Sequence, residues 1–254
     1  MIMIRSFFIV SLFSVVFVTP ALADEIFSLK IGFASLEADG TFAGESGGIG
    51  TQIDFDSDLN FDDSQDVFAE AAVQLGRFRV SAGYLPLDFS GDGTISRDIT
   101  FDGRTFPSGT NVSSNVEIDV FDIAVAFYVI DFDDGPLRVQ LGPELAVKIG
   151  EVDMSIRDTS SGISENVSAT VPVPTIGARG RIAFSDYFGV VGRIGYLEFR
   201  DSSVLDTEIQ LEFSPVPLLG VFAGYRYIDV DVDESGVILK STFSGPFAGV
   251  LARF

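Results

Sequence analysis

The sequence predicts an all-β protein, an up-and-down antiparallel barrel of about ten strands with eight or twelve as the margin, and three observations carry that prediction. From Glu25 onward the hydrophobic period is two rather than 3.6, the alternation of a strand with one apolar face. About ten segments show it, most of them close to the 9 to 11 residues of a tilted membrane-crossing strand. The joints between the segments alternate between tight turns and long polar stretches, so every second connection falls on the same side.

Residues 1–23 read as an address rather than as structure. Arg5 opens the stretch, FFIVSLFSVVFV is an apolar run too short for a comfortable helical span, Pro20 breaks it, and ALA ends it at Ala23 in the small-x-small pattern of a signal-peptide cleavage site. Residues 24–254 are expected to form one barrel, because β-barrels of this length do not divide and the chain shows no repeat, low-complexity run or linker. No later apolar run approaches the roughly 20 residues of a membrane helix.

The first segment is IFSLKIGF, with Phe27, Leu29, Ile31 and Phe33 on one face, followed by a polar stretch from about Asp39 to Gln65. DVFAEAAVQLG then alternates Val67, Ala69, Ala71, Val73 and Leu75, turns at Gly76, and returns as RFRVSAGY. A second polar stretch runs from about Asp88 to Ser114; within it ITF and RTF flank Asp102-Gly103, the pair favoured in a type I′ turn, which predicts a hairpin projecting outside. FDIAVAFYV turns at DFDDGP into LRVQLGPELAVKIG, the clearest segment, with Leu137, Val139, Leu141, Leu145, Val147 and Ile149 on one face. After a third polar stretch, about Glu151 to Ser168, come PTIGARGRIAF, a turn at FSDYFG, and VVGRIGY. Pro172 and Pro174 in TVPVPT cannot donate ladder hydrogen bonds, so they belong at an outer rim. VLDTEIQLEF, a turn at SPVPL, GVFAGYRY, a loop at DVDVDESG and the closing GPFAGVLARF complete the set, with both ends of the barrel on the short-turn side.

Alternation alone does not say which face is outside, since a soluble, exported, lipocalin-like binding barrel alternates with its apolar face inward. The charges decide. Lys30, Arg79, Arg138, Lys148, Arg179, Arg181, Arg193, Arg226 and Arg253 all fall opposite the aliphatic face. A basic residue costs roughly 2 to 4 kcal/mol at the middle of a bilayer, so lipid on that face would cost roughly 20 to 35, more than a fold's typical net stability. In a membrane the charged face must therefore line the lumen. Gly32, Gly83, Gly142, Gly177, Gly195, Gly220, Gly224 and Gly249 share that face and suit a crowded interior. Tyr84, Tyr196, Tyr225 and Tyr227 share the apolar face, as an interfacial girdle requires in a chain without Trp.

These features together, with the terminal aromatic strand FAGVLARF, resemble the small Gram-negative outer-membrane β-barrels, the class that includes the OmpA membrane domain and OmpW. The resemblance covers all of 24–254 as a pattern and implies a cell outer membrane location, outer-membrane lipid and lipopolysaccharide as surroundings, and the barrel-assembly machinery as a partner during biogenesis. In that class the machinery recognises the final strand, which would make Ala248, Val250, Ala252 and Phe254 the assembly signal.

Composition narrows the chemistry. With 37 Asp plus Glu against 16 Lys plus Arg, nucleic acid is not an expected partner. There is no Cys and no His, which removes thiolate chemistry, the commonest general base and the commonest metal ligand. The omptins, a ten-stranded protease family, are the enzymatic rival, and the Asp-His pair they use has no counterpart here. Catalysis is not expected. The lumen is expected to pair its basic residues with Glu70, Asp122, Glu144, Asp206, Glu208 and Glu212, either as a static filling or as a porin-like, gated route for ions and small solutes. No cofactor is expected, except that DFDSDLNFDD places Asp54, Asp56, Asp58, Asp62 and Asp63 together and could hold Ca²⁺ or Mg²⁺ for a surface interaction, against the plainer reading of a solvated acidic face. Leu59 and Gln65 stand where an EF-hand would need Gly and Glu.

Overall fold

The computed structural model describes residues 26–44, 53–55, 58–101, 104–132, 137–199, 202–234 and 237–254, so the expected signal segment lies outside the described residues. Ten long strands form the ring: β1 (Phe27–Gly44), β2 (Ser64–Leu75), β3 (Phe78–Thr94), β4 (Asn111–Phe127), β5 (Arg138–Asp158), β6 (Ser164–Ala183), β7 (Phe188–Phe199), β8 (Ser202–Val216), β9 (Leu219–Glu234) and β10 (Val237–Arg253). Each pairs antiparallel with its neighbour in sequence, and β1 pairs with β10 through partners such as Ile31 and Val250, which closes the sheet. At the seam the amides of Ile26 and Phe27 donate to the carbonyl of Phe254. Closure removes the exposed edges that no open sheet could keep in lipid.

Every alternating segment of the sequence lies in one of these strands, and the tight joints fall at one end of the ring. The joint at SPVPL includes a break in register between Phe213 and Val216, which accommodates Pro215 at an irregularity instead of in a ladder. Pro172 and Pro174 pair with Ile149 and Val147 of β5, but on the other side the β6–β7 register begins only at Ile176. Both prolines are therefore on a stretch with one paired neighbour, where the missing amide donors cost least.

The long polar stretches are shorter than expected, because the strands run on into them. The β5–β6 ladder is unbroken from Ser164 opposite Arg157 down to Ala183 opposite Arg138, leaving only residues 159–163 as a connection. β3 and β4 pair as far as Thr94 opposite Asn111. What changes along each strand is the phase. In the lower part of β5, Leu141, Leu145, Val147 and Ile149 face out and are exposed while Glu144, Ala146 and Lys148 are buried; above Gly150, Glu151 and Asp153 are exposed while Met154 and Ile156 are buried. β3 makes the same change, from exposed Val80 and Tyr84 to buried Leu85, Leu87 and Phe89 beside exposed Asp88. The lower tier is apolar outside and polar inside; the upper tier is polar outside and apolar inside.

Two aromatic belts bound the lower tier. The four tyrosines lie exposed at its top, with the Tyr84 hydroxyl donating to Asp119 (2.5 Å) and the Tyr196 hydroxyl to Glu198 (2.8 Å). At its foot, exposed phenylalanines stack across neighbouring strands, Phe78 on Phe127 and Phe188 on Phe213 with ring centroids 4.8 Å apart, and Phe27 on Phe254 at 6.1 Å. From Phe188 to Tyr196 the strand rises about 27 Å, which a tilt of about 40° reduces to near 20 Å, close to the apolar band of about 25 Å in membrane barrels.

Four short strands lie outside the ring. Ile53–Asp54 pairs with β1, Ile130–Phe132 with β5, and Ile99–Phe101 pairs with Arg104–Phe106 as the expected hairpin. The hairpin does not project into solvent: Ile99, Phe101 and Phe106 are buried.

Candidate functional site

The interior of the barrel is the candidate site, and it has three fillings. The first is ionic. Eight cations, Lys30, Arg79, Lys148, Arg179, Arg181, Arg193, Arg226 and Arg253, share the lumen with Glu70, Asp122, Glu144, Asp206, Glu208 and Glu212, and every one of them makes an ion pair. Many of these pairs cross the lumen instead of joining adjacent strands. Arg179 on β6 reaches Glu70 on β2 (3.5 Å), Lys30 on β1 reaches Glu212 on β8 (3.7 Å), and Lys148 on β5 reaches Asp206 on β8 (2.6 Å). Arg193 on β7 binds both oxygens of Asp122 on β4 (2.7 and 3.1 Å) and also Glu144 on β5. Such bidentate contacts hold planar groups in one geometry. Arg138, also expected in this network, instead sits at the lower rim and pairs with Asp186 (3.6 Å).

Beside the charges, on the β1, β2, β9 and β10 side of the lumen, lies an aromatic cluster: along β9 Phe222 stands four residues below Arg226, and it pairs across the ladder with Glu212 of β8. Phe68 from β2, Phe222 from β9 and Phe247 from β10 point inward with ring centroids 5.7 to 6.0 Å apart. The rings fit because three of the inward positions carry no side chain. A Cβ on Gly32 would stand 2.6 Å from the Phe68 ring, one on Gly224 2.5 Å from Phe247, and one on Gly249 2.7 Å from Phe222. The Lys30 ammonium sits 5.6 Å from the centre of the Phe222 ring, joining this cluster to the ionic layer by a cation–π contact.

The third filling is the upper-tier core, closed from above by the first two long connections. Leu36, Leu87, Phe89, Val112 and Ile156 of the wall pack with Ile53, Phe55, Leu59, Ile95, Ile99 and Phe101 of the connections, all buried. The first connection crosses the inner face of β3, where a Cβ on Gly91 would meet the Asn60 carbonyl oxygen at 2.5 Å and one on Gly93 the Asp58 oxygen at 2.6 Å. An ion pair ties the two connections together: buried Asp58, 1% exposed, binds the half-exposed Arg97 at 2.7 Å and also accepts from Ser96.

This arrangement corrects the expectation of a solvated, repulsive face at DFDSDLNFDD. Phe55 and Leu59 are drawn into the core, and Asp58 turns in with them to meet Arg97. Asp62 and Asp63 are exposed, Asp54 is half-buried and donates its amide to Asp58 (3.1 Å), and Asp56 lies outside the described residues. Among the described residues no three ligating side chains come together as a metal centre. The residues expected to form the assembly signal face outward: Val250 and Phe254 are 58% and 61% exposed, Ala248 is exposed and Ala252 half-buried.

Sequence reasoning found the ionic layer and missed the upper core. The signal was present, since Leu85, Leu87 and Phe89 alternate with Asp88, and Val116, Ile118 and Val120 with Glu117 and Asp119. Only the phase, not the period, differs from the segments below.

No family model matches the chain. No curated protein matches it. Among solved structures, it is similar to the outer-membrane protease OmpT of Escherichia coli, with a TM-score of 0.60 at 11% identity over 91% of this chain and 97% of that one. Neisserial surface protein A (TM-score 0.40, 14% identity, 90% of this chain and 97% of that one) and the attachment invasion locus protein Ail of Yersinia pestis (0.39, 13%, 90% and 99%) also match. At these identities the likeness is one of fold. The chain has the fold of the Gram-negative outer-membrane β-barrels, with ten strands in its ring.

Proposed function

We propose that the protein is a non-catalytic integral barrel of the outer membrane whose lumen is closed to ions and solutes, so that its work is structural and is done at its outer surface. The observation carrying this reading is the filling of the lumen at two heights: cross-lumen ion pairs with the three inward phenylalanines beside them below, and the apolar core beneath the first two connections above. A route for solutes would require the upper core to open together with a passage through the lower filling. The absence of His supports the non-catalytic part, because the fold's omptin-like chemistry needs it. The outward acidic band of exposed Asp88, Glu117, Glu151 and Asp153 with half-buried Asp119, just above the tyrosine belt, favours a surface role among anionic headgroups through divalent cations.

Planar bilayer recording tests the closed reading. The intact protein should insert without conductance steps. Arg97→Ala, which leaves Asp58 buried without its partner, should loosen the upper core to protease yet remain silent, because the phenylalanine and ionic layers persist beneath it. Adding Phe68→Ala and Phe222→Ala to that variant should produce the first steps. Regular conductance by the unmodified protein would refute the proposal.

A further inference from the structure

Above the tyrosine belt the wall of the barrel is interrupted twice, and the two interruptions are treated differently. β2 reaches up only to Ser64, opposite Leu36 of β1, and pairs with β3 only up to Tyr84, while β1 and β3 continue to Gly44 and Thr94. The first connection covers both edges this leaves: Ile53 and Asp54 pair with β1, the Phe55 amide donates to the Gly40 carbonyl (3.0 Å), and Phe61 bridges to Gly91 of β3. Lower on β3 the Asp88 amide donates to the side chains of Ser64 (3.2 Å) and Asp66 (3.1 Å). The second interruption has no such cover. β7 ends at Phe199, and its pairing with β6 begins only at Ile176 and Tyr196. From Ser164 to Thr175, β6 therefore has β5 on one side and, among the described residues, no strand on the other.

The prolines show which groups face the open side. The β5–β6 ladder runs unbroken through Pro172 and Pro174, which have no N–H, so the residues that bond to β5 are the odd-numbered ones. Ser164, Asn166, Ser168 and Thr170 thus aim their amides and carbonyls into the gap, and the two prolines end the row of donors below them. The edge is anchored: β5 backs its whole length, and Glu165 pairs with Arg104 of the buried hairpin (3.3 Å). On its inner face Val167 and Val171 are 37% and 47% exposed, whereas Met154, directly opposite Val167 on β5, is buried.

We propose that this edge, from Ser164 to Thr170, is a docking site for an extended segment of another protein, which adds an antiparallel strand beside β6. The inward residues of that segment are apolar and cover Val167 and Val171. Its outward residues are basic, because the outer face around the edge carries exposed Glu151, Asp153 and Glu198, and a cation only at the tip, Arg157 opposite Ser164. A second copy in the same membrane does not fit. Both copies point the same way across the bilayer, so two β6 strands tilted by about 40° cross at no more than about 80° and never become antiparallel. The formal charge of −21 also opposes self-association. The inference rests on the surface role proposed above and not on the closed lumen, so conductance in bilayers and docking in detergent fail separately.

The probe is a short synthetic peptide alternating lysine and valine, added to the purified barrel in detergent. Hydrogen exchange should show new protection at the amides of Ser164, Asn166, Ser168 and Thr170 and on no other strand. Replacing lysine by glutamate in the peptide should weaken binding about tenfold. Ser168→Pro removes a central donor from the open side and spares the β5 ladder, as Pro172 and Pro174 do; it should also weaken the peptide about tenfold. N-methyl groups on the lysine amides, which face β6 in this register, should abolish binding, whereas the same groups on the valine amides should not. No protection at these four amides with millimolar peptide overturns the proposal, as does equal affinity for the two methylated peptides. A dimer that forms without peptide and is dissolved by Ser168→Pro overturns it too, by giving the edge to a second copy. If Ser168→Pro fails to fold, the two methylated peptides decide on the wild-type protein.

Discussion

The lower and upper tiers of this barrel are built from the same ten strands with the same alternation, yet they solve opposite problems. Below the tyrosine belt, Leu145 and Val147 face out and Glu144 and Lys148 face in; a few residues higher on the same strand, Glu151 and Asp153 face out and Met154 and Ile156 face in. The lower tier follows the rule of a barrel in lipid, the upper tier that of a water-soluble barrel with a hydrophobic core. The difference teaches that alternation specifies a strand and its register, whereas the solvent on the far side of the wall specifies which phase is stable. The lower interior is free to be polar only because hydrocarbon satisfies the outer face, and it then needs cross-lumen ion pairs to fill it. The upper interior has water outside and excludes it inside, which is why the connections fold down over it instead of standing off the rim.

That contrast can be broken most strongly in the lower tier. Asp206 is buried and shared by Lys148 and Arg226, so Asp206→Ala should leave uncompensated charge and cost about 3 to 5 kcal/mol in urea unfolding from lipid vesicles. A loss under about 1 kcal/mol would mean the network relaxes freely.

The same outer face can be probed at two heights. Val147→Arg places a guanidinium in lipid and should cost roughly 2 to 4 kcal/mol, while Ser155→Arg, on the same face of β5 above the belt, should cost close to nothing. Equal penalties at the two positions would place the membrane boundary elsewhere.

The smallest effect is expected in the turn that joins β5 to β6. Asp158 accepts from the Ser161 hydroxyl (2.6 Å) and from the amides of Ser160 (2.7 Å) and Ser161 (3.1 Å), and these bonds lower its pKa. A depressed carboxyl contributes order that is present above its unfolded pKa and lost as the pH falls through its folded value. The protection of the Ser160 and Ser161 amides, measured against their intrinsic exchange rates, should therefore be present at neutral pH and lost only in strongly acidic solution. The Asp158→Ala variant, which removes the acceptor, should show low protection at every pH.

Much of this was legible in the sequence because it depends on local periodicity. The ten crossing segments, the hairpin around residues 102 and 103, and the inward direction of Arg179, Arg193 and Arg226 all follow from a period of two combined with the cost of charge in lipid, whereas Pro172 and Pro174, expected at an outer rim, lie within β6 opposite Ile149 and Val147. The upper tier was misread because its outward residues are acidic and its inward ones apolar, so a reading keyed to polarity took Asp88 to Ser114 for a loop. Asp58 was misread for a related reason: it sits in an acidic run, and only Arg97, far along the chain, decides that it turns inward.

The sequence by itself determined the ten crossing segments and which face of the lower wall carries charge, because each is a consequence of neighbours along one chain and of a solvent penalty too large to evade. Which carboxylate meets which cation, the three phenylalanines converging from β2, β9 and β10, and the closing of the upper mouth were decided only by the tertiary structure. They depend on contacts between residues that ring closure, and not sequence proximity, brings within a few ångströms of one another.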